Sequence, residues 1–286
     1  MKKYEAEPMV ESAKATLTKM FPQYAELIAD TQVYLLTSTN KVEKRNRIAE
    51  ELAAPKINNL EDTAGQTIVG AERYAIIMFY PSIHAEEFTH YLYHEFGHVI
   101  SNRACRALFD KAQEYLDLNR DTPLRSGMAV WSELVAEVIA YRAENAPPSP
   151  IAWYAAKRME VLMDAAVNSG FFSPYDFAFY CAMFFADPTI VAYMEAHPHA
   201  AVGANHCDDE IMPRIEAALI VIDEQLSKEE YWVIAQEQLV ELGKCVNNLW
   251  DYCSEMNQDY ILAAFAEHLR ESMADDIGFE GGHSNG

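Results

Sequence analysis

Basic side chains are scarce in this sequence. Its 286 residues include 22 lysines and arginines against 44 aspartates and glutamates, which gives a net charge of −22 at pH 7. A field of that sign repels phosphate backbones, so we expect no nucleic acid among the partners. The one basic run, at 41–47, is interrupted by Glu43, and we interpret it as the solvated face of a helix.

Long apolar runs are also missing. No stretch approaches the roughly 20 apolar residues that a membrane-spanning helix needs, so we predict no membrane span. The N-terminal MKKYEAEPMV has two lysines but no apolar segment behind them, so we predict no signal peptide. The expected location is the cytoplasm.

Cysteine is sparse and scattered. No two of the five cysteines stand in a C-x-x-C arrangement, which disfavours both a disulfide framework and a thiolate zinc site. We expect reduced, mostly buried thiols. The five are Cys105, Cys181, Cys207, Cys245 and Cys253.

The patterns that are present predict an α+β fold, mostly helical, with a small N-terminal β-sheet. Strands are predicted at 31–38 and on both sides of Gly70 within 66–81, where β-branched and aromatic residues are frequent. Helical spacing covers 8–29, with a break at Pro22, then 47–53 and a long segment from about 82. A loop at 117–127 separates this segment from a helix at 128–144.

The second half is predicted to be helical throughout. The expected helices are 151–168, 174–186, 188–196, 211–226 and 229–274, the last broken near Met256-Asn257. Three prolines between 147 and 150 mark the best boundary, so we divide the chain into a catalytic region, 1–146, and a helical region, 147–286, that forms the other wall of a cleft.

One short motif carries the chemistry. The stretch YLYHEFGHVI at 91–100 contains His94-Glu95-Phe96-Gly97-His98. On a helix, residues four apart lie about 40° from each other, so both imidazoles can reach one Zn²⁺. Glu95 then flanks the open position and can act as the general base toward a zinc-activated water.

The residues around the motif support this interpretation. Its neighbours are uncharged and largely apolar, so the helix is predicted to run through the interior, where polar groups need partners. Gly97 costs about 1 kcal/mol in a helix relative to alanine, so we expect it to mark either the close approach of another helix or, as the alternative, a flexible site. His90 also lies one turn before His94, but no acid follows it, and we do not assign it as a ligand.

A catalytic zinc needs a third protein ligand. In WSELVAEVIAY, Glu133 and Glu137 lie one turn apart on an apolar helix, and buried carboxylates ask for partners. The alternative is that both are surface glutamates of an amphipathic helix.

HEFGH followed by ELVAE resembles the gluzincins, the thermolysin-like zinc peptidases. The resemblance covers about 66–144 and implies that Glu133 is the third zinc ligand, with Glu137 behind it, hydrogen-bonded to His94. It also implies that RYAIIMFY, just before the motif, is an edge strand that holds an extended peptide by main-chain pairing.

The chain departs from the family pattern in three ways. The outer acid is glutamate where aspartate is usual. The spacer between His98 and Glu133 is 34 residues, longer than thermolysin's. We also find no membrane helix like that of the CAAX endopeptidase branch. No third histidine follows His98 at the short distance that metzincins require, and the Gly-Cys-Leu segment of deformylases is missing.

Gluzincins also use a histidine, tyrosine or arginine to stabilise the oxyanion. For this role we favour His206, in the polar loop VGANHCDDE, over His197, His199 and Tyr141.

Two functions follow as expectations. The first is a zinc-dependent hydrolase with ligands His94, His98 and Glu133 and with Glu95 as base. We expect a metallopeptidase acting on peptide or protein substrates, with a non-peptide amide as the alternative substrate. The second is a non-catalytic helical binding or regulatory protein with a structural or vestigial metal site. Glu95 favours the enzyme, because a structural zinc site has no use for an acid beside the water.

Overall fold

The computed structural model describes residues 2–37, 39–58, 60, 64–114, 122–144, 177–179, 181–182, 185 and 211–279. Within these ranges the protein is mostly helical with one three-stranded sheet, as predicted. No helix in the described ranges combines the length and the apolar character needed to cross a membrane.

The first helix, α1, spans Lys3–Met20 and begins earlier than the predicted residue 8. Its start is stabilised by Glu5, whose Oε2 atom accepts the backbone N–H of Lys2 at 2.7 Å. Residues at helical spacing on one face are buried, namely Ala6, Val10, Ala13 and Leu17. The helix ends before Pro22, as expected, and a 3-10 turn leads into α2, Ala25–Asp30.

Three short strands form the sheet in the order β1-β3-β2. Strand β1 (Gln32–Leu35) pairs with β3 (Tyr74–Met78) in parallel, and β2 (Gly65–Val69) pairs with β3 in antiparallel. The turn between β2 and β3 is closed by the Gly70 N–H, which donates to the carbonyl of Arg73. The strand predictions are confirmed.

The predicted edge strand is wrong. RYAIIMFY contains β3, which is the central strand and is buried along its whole length. Tyr74, Ile76 and Met78 face the main helical core, whereas Ala75 and Ile77 face a smaller cluster with Ile48 of α3, Lys41–Glu51. A strand that is buried on both faces has a continuous apolar sequence, as β3 does. The edge next to the motif helix is β2.

The basic run at 41–47 lies at the start of α3 and is only partly solvated. Arg45 is 7% exposed, and its guanidinium donates to Gln66 Oε1 of β2 and to the carbonyl of Pro55. Its pKa is lowered by burial. The interpretation as a wholly solvated face is therefore wrong for Arg45, which joins α3 to the edge strand.

The motif lies on α4, Ala85–Ala104, which has Cys105 as its C-cap and is followed by α5, Arg106–Glu114. Helix α6 spans Pro123–Glu144, so the predicted loop at 117–127 is helical from 123 onward. Proline suits this position because a first-turn residue needs no intrahelical N–H.

The C-terminal part of the structure contains α7, Ile211–Leu226, and α8, Gln236–Phe279. The bounds of α7 are those predicted. The predicted break near Met256-Asn257 is wrong, because α8 continues through both residues. The predicted helices at 151–168 and 188–196 lie outside the described residues, and the described positions between 177 and 185 are helical.

Helix α6 lies at the centre of the helical part and touches α4 on one side and α8 on the other. One apolar cluster contains Phe96 of α4, Trp131 of α6 and Leu239 of α8, together with Phe177. Residues on both sides of position 146 therefore share this cluster. The division into 1–146 and 147–286 stays a prediction.

Glycines allow these helices to approach closely. A Cβ atom on Gly97 would lie 2.6 Å from Cα of Ala136, so α4 and α6 touch backbone to backbone. At the other crossing, a Cβ atom on Gly127 would lie 2.0 Å from the carbonyl oxygen of Leu239. The expected close helix approach at Gly97 is confirmed, and it sets the separation of the helices that carry the motif and its proposed partner acids.

Candidate metal centre

Three side chains from two helices converge at the α4–α6 crossing. His94 and His98 project from one face of α4, and Glu133 projects toward them from α6. Gly97 lies between the histidines in sequence, and Ala136 lies between Glu133 and Glu137. The backbone contact at Gly97 and Ala136 therefore brings the two sets of polar side chains within reach of each other.

The three potential ligand atoms form a nearly equilateral triangle. The distance from His94 Nε2 to His98 Nε2 is 3.1 Å, and Oε2 of Glu133 lies 3.4 Å from the former atom and 3.6 Å from the latter. Zinc–nitrogen and zinc–oxygen bonds of about 2.0–2.1 Å in a tetrahedral site place neighbouring ligand atoms roughly 3.3 Å apart. The residues present therefore fit Zn²⁺.

The outer nitrogens of both histidines are held by α6. Oε2 of Glu137 lies 2.7 Å from Nδ1 of His94, and Oγ of Ser132 lies 3.2 Å from Nδ1 of His98. An ionised carboxylate only accepts hydrogen bonds, so Nδ1 of His94 carries the proton. The hydroxyl of Ser132 can accept a hydrogen bond from Nδ1–H of His98 in the same way.

These outer hydrogen bonds set the chemistry of the inner nitrogens. In the neutral rings that a metal would bind, a proton on each Nδ1 atom leaves a lone pair on each Nε2 atom, and the two Nε2 atoms face each other at 3.1 Å beside the carboxylate of Glu133. Two lone pairs at that distance repel unless a cation or a proton lies between them. Imidazole held in this way by an outer partner is the usual form of a zinc-binding histidine.

In the metal-free cluster the carboxylates stabilise a proton on His94. Burial alone lowers the pKa of His94, but hydrogen bonds to Glu133 and Glu137 raise it to about 10. Burial alone raises the pKa of Glu133, but the nearby His98 and hydrogen bonds to both histidines hold it well below its usual range. Glu137 is 1% exposed, so the alternative interpretation as a surface glutamate is wrong for this residue.

Glu95 is buried beside the same cluster and is held by the edge strand. The hydroxyl of Thr67 in β2 lies 2.7 Å from Oε2 of Glu95 and 2.9 Å from its backbone carbonyl oxygen. Gly65 leaves room for this carboxylate, because a Cβ atom there would lie 3.0 Å from Oε1 of Glu95. The base proposed from the motif is thus oriented by β2.

A cleft of about 1230 Å³ gives access to these groups. Strand β2 forms one wall with Gly65, Gln66, Thr67 and Val69, and the motif side chains His94, Glu95 and His98 form the floor with Glu133. Phe179, from the region after the proline-rich connection, also lines the cleft, with its ring stacked on His94 at a centroid distance of 6.0 Å.

His90 lies outside the triangle but is connected to it. Its Nε2 atom lies 2.9 Å from Oε1 of Glu137 and its Nδ1 atom lies 3.2 Å from Oε2 of Glu144. Tyr141 packs edge-on against the ring at a centroid distance of 5.1 Å. Burial lowers the pKa of His90, but the hydrogen bonds to the two glutamates raise it to about 9.

His206, His197 and His199 lie outside the described residues, so the oxyanion assignment stays a prediction. The sequence interpretation missed Ser132, Thr67 and the connection of His90 to Glu144. The sequence held one signal for this connection. Glu144 lies two helical turns after Glu137 on the same helix, and His90 lies one turn before His94 on the other helix.

Comparisons of the chain with known protein families, with curated proteins and with solved structures gave no match.

Proposed function

We propose that this chain is a zinc-dependent hydrolase, a metallopeptidase of the gluzincin type that cleaves peptide bonds. The observation that carries the proposal is the convergence of His94 Nε2, His98 Nε2 and Glu133 Oε2 at 3.1–3.6 Å, with the outer nitrogens of both rings hydrogen-bonded to α6. These three residues would hold the metal. Zn²⁺ bound there would make a water molecule more acidic and polarise a substrate carbonyl.

Glu95 would move the proton. Its carboxylate lines the cleft next to the ligand set, and Thr67 holds one of its oxygens. Glu95 accepts a proton from the water whose oxygen bonds to the carbonyl carbon. It then returns that proton to the nitrogen of the leaving amine as the C–N bond breaks.

Strand β2 would hold the substrate. Among the described residues β2 pairs with β3 on one side only, and it lines the cleft along most of its length. An extended peptide can add to such an edge by main-chain hydrogen bonding, which places a backbone carbonyl near the floor of the cleft. In this proposal β2 takes the substrate-holding role that the family resemblance implied for β3, the strand just before the motif helix.

The test compares wild-type protein, purified without chelators, with His98→Ala and Glu95→Gln. Zinc is measured by elemental analysis and hydrolysis by mass spectrometry of an unbiased peptide library. We expect about one zinc per chain in wild type and Glu95→Gln and its loss in His98→Ala, with cleavage by wild type alone. Glu11→Gln, the same change at an exposed position on α1, is the matched control and should behave as wild type.

The outcomes separate the two functions. Cleavage by Glu95→Gln at the wild-type rate would show that the proton transfer is assigned wrongly. Zinc binding without cleavage by any protein in the set would support the non-catalytic metal-binding alternative. Absence of zinc after reconstitution would remove the metal centre itself.

A further inference from the structure

We propose that His90 and Glu144 are positioning residues of the metal centre, which hold the carboxylate of Glu137 in the orientation that fixes His94. The inference rests on the proposed zinc site and extends it by two residues. Together they form one hydrogen-bonded chain, Glu144–His90–Glu137–His94, that runs from the surface of the α4–α6 pair to the ligand atoms.

Glu137 is held at both oxygens. Oε2 meets Nδ1 of His94 at 2.7 Å and Oε1 meets Nε2 of His90 at 2.9 Å. The two rings project from the same face of α4, one turn apart, and Glu137 is buried. Rotation of the Glu137 carboxylate would break both hydrogen bonds. The hydrogen bond to His90 therefore helps to keep Oε2 of Glu137 in place for His94.

His90 is built to donate rather than to bind a metal. Each ring nitrogen faces a carboxylate oxygen, and a carboxylate accepts hydrogen bonds, so a ring with a proton on both nitrogens satisfies both contacts. The resulting positive charge lies between the negative charges of Glu137 and Glu144. It reduces the cost of keeping Glu137 ionised in the interior.

Glu144 and Tyr141 hold His90 in turn. Glu144 is the last residue of α6, and its oxygen lies 3.2 Å from Nδ1 of His90. Tyr141, one turn earlier, packs against the ring. Glu144 thus acts on the metal centre only through His90, and this order of action makes a specific prediction for the double variant.

The experiment is a zinc-affinity titration against a competing chelator for wild type, His90→Gln, Glu144→Gln and the double variant. We expect His90→Gln to weaken zinc binding by up to about tenfold, the lower end of the cost of losing a direct partner of a ligand, because His90 acts through Glu137, and we expect Glu144→Gln to weaken it less. The double variant should bind zinc no more weakly than His90→Gln alone. His84→Gln, at the exposed N-terminus of α4, is the matched control and should bind as wild type.

A second readout separates positioning from general destabilisation. The visible absorption of Co²⁺ in the site reports ligand geometry, so the spectrum of His90→Gln should differ from that of wild type, whereas the spectrum of His84→Gln should not. If His90→Gln does not fold, Glu144→Gln carries the test alone, because it removes only the outermost group and must still weaken zinc binding.

Wild-type zinc affinity in His90→Gln, or an independent, fully additive loss in the double variant, would overturn the inference while leaving the zinc site intact. Failure of wild type to bind zinc at all would overturn this inference together with the proposed function.

Discussion

Gly97 of α4 and Ala136 of α6 touch backbone to backbone, with only 2.6 Å between Cα of Ala136 and the position of a Cβ atom on Gly97. This contact lies between the two histidines and between the two glutamates of the site. The spacing of the ligand atoms is therefore a consequence of how closely the two helices approach.

Gly97→Ala should separate α4 from α6. The added methyl group gains roughly 1 kcal/mol of helix propensity but overpacks the crossing by about 1–3 kcal/mol, so we expect a net loss of stability and weaker zinc binding. Thermal unfolding with and without chelator and a zinc titration measure the two effects. Gly127→Ala is the control: it disturbs the α6–α8 crossing and should destabilise the protein while leaving zinc affinity nearer to wild type.

Glu133→Ala should weaken zinc binding far more than Glu137→Ala. The first change removes an atom of the ligand triangle, for which we expect a loss of more than a hundredfold, whereas loss of an outer partner typically costs about 10–100-fold. Competition titrations of both variants measure the difference. Equal losses would mean that the third ligand is assigned wrongly.

Thr67→Val should lower kcat without loss of zinc. Valine keeps the shape of threonine and suits a strand, but it removes the hydroxyl that holds Oε2 of Glu95 at 2.7 Å. Loss of one hydrogen bond of about 1 kcal/mol corresponds to a fall of roughly fivefold in kcat. Steady-state kinetics on a cleaved peptide and elemental analysis check it, and an unchanged kcat would show that Glu95 needs no support from β2.

The metal-free protein should lose stability as the pH rises toward 9. The pKa of His90 is raised to about 9 in the folded state, above the ordinary 6.5, by its hydrogen bonds to Glu137 and Glu144, against the opposing effect of burial. The contribution of a group with a raised pKa is fully present below pH 6.5 and is lost as the pH passes through 9.

The difference in unfolding free energy between wild type and His90→Gln isolates this contribution. It should be about 3 kcal/mol near pH 6 and should shrink toward zero above pH 9. Urea denaturation in the presence of chelator at a series of pH values measures it. A difference that stays constant over this range would mean that His90 is not doubly protonated in the folded protein.

The sequence predicted the parts of this molecule that depend on local pattern. The strand positions around Gly70, the helix at 211–226 and the close approach at Gly97 follow from periodicity, turn residues and the cost of a mid-helix glycine. That Glu133 and Glu137 need polar partners was predicted from two acids on an apolar helix, whereas the choice of Glu133 as the group that joins His94 and His98 came from the resemblance to gluzincins.

What could not be predicted depends on how elements pack. The order of strands decides which one is the edge, and nothing local in RYAIIMFY distinguishes a centre from an edge except its uninterrupted apolar run. The role of Thr67 depends on β2 packing over α4, and that of His90 depends on the register between α4 and α6. The break expected near Met256-Asn257 is absent, because α8 passes through both residues.

The helix crossing also has a consequence for recognising related chains. Because contact between Gly97 and Ala136 positions the ligands, the length of chain that joins α4 to α6 is free to change during evolution without moving them. The length of the 34-residue spacer therefore does not determine the geometry of the site. Distant homologues should be sought by two separate helical signatures, H-x3-H-E-x-G-H and S-E-x3-E-x6-E, with no fixed distance between them.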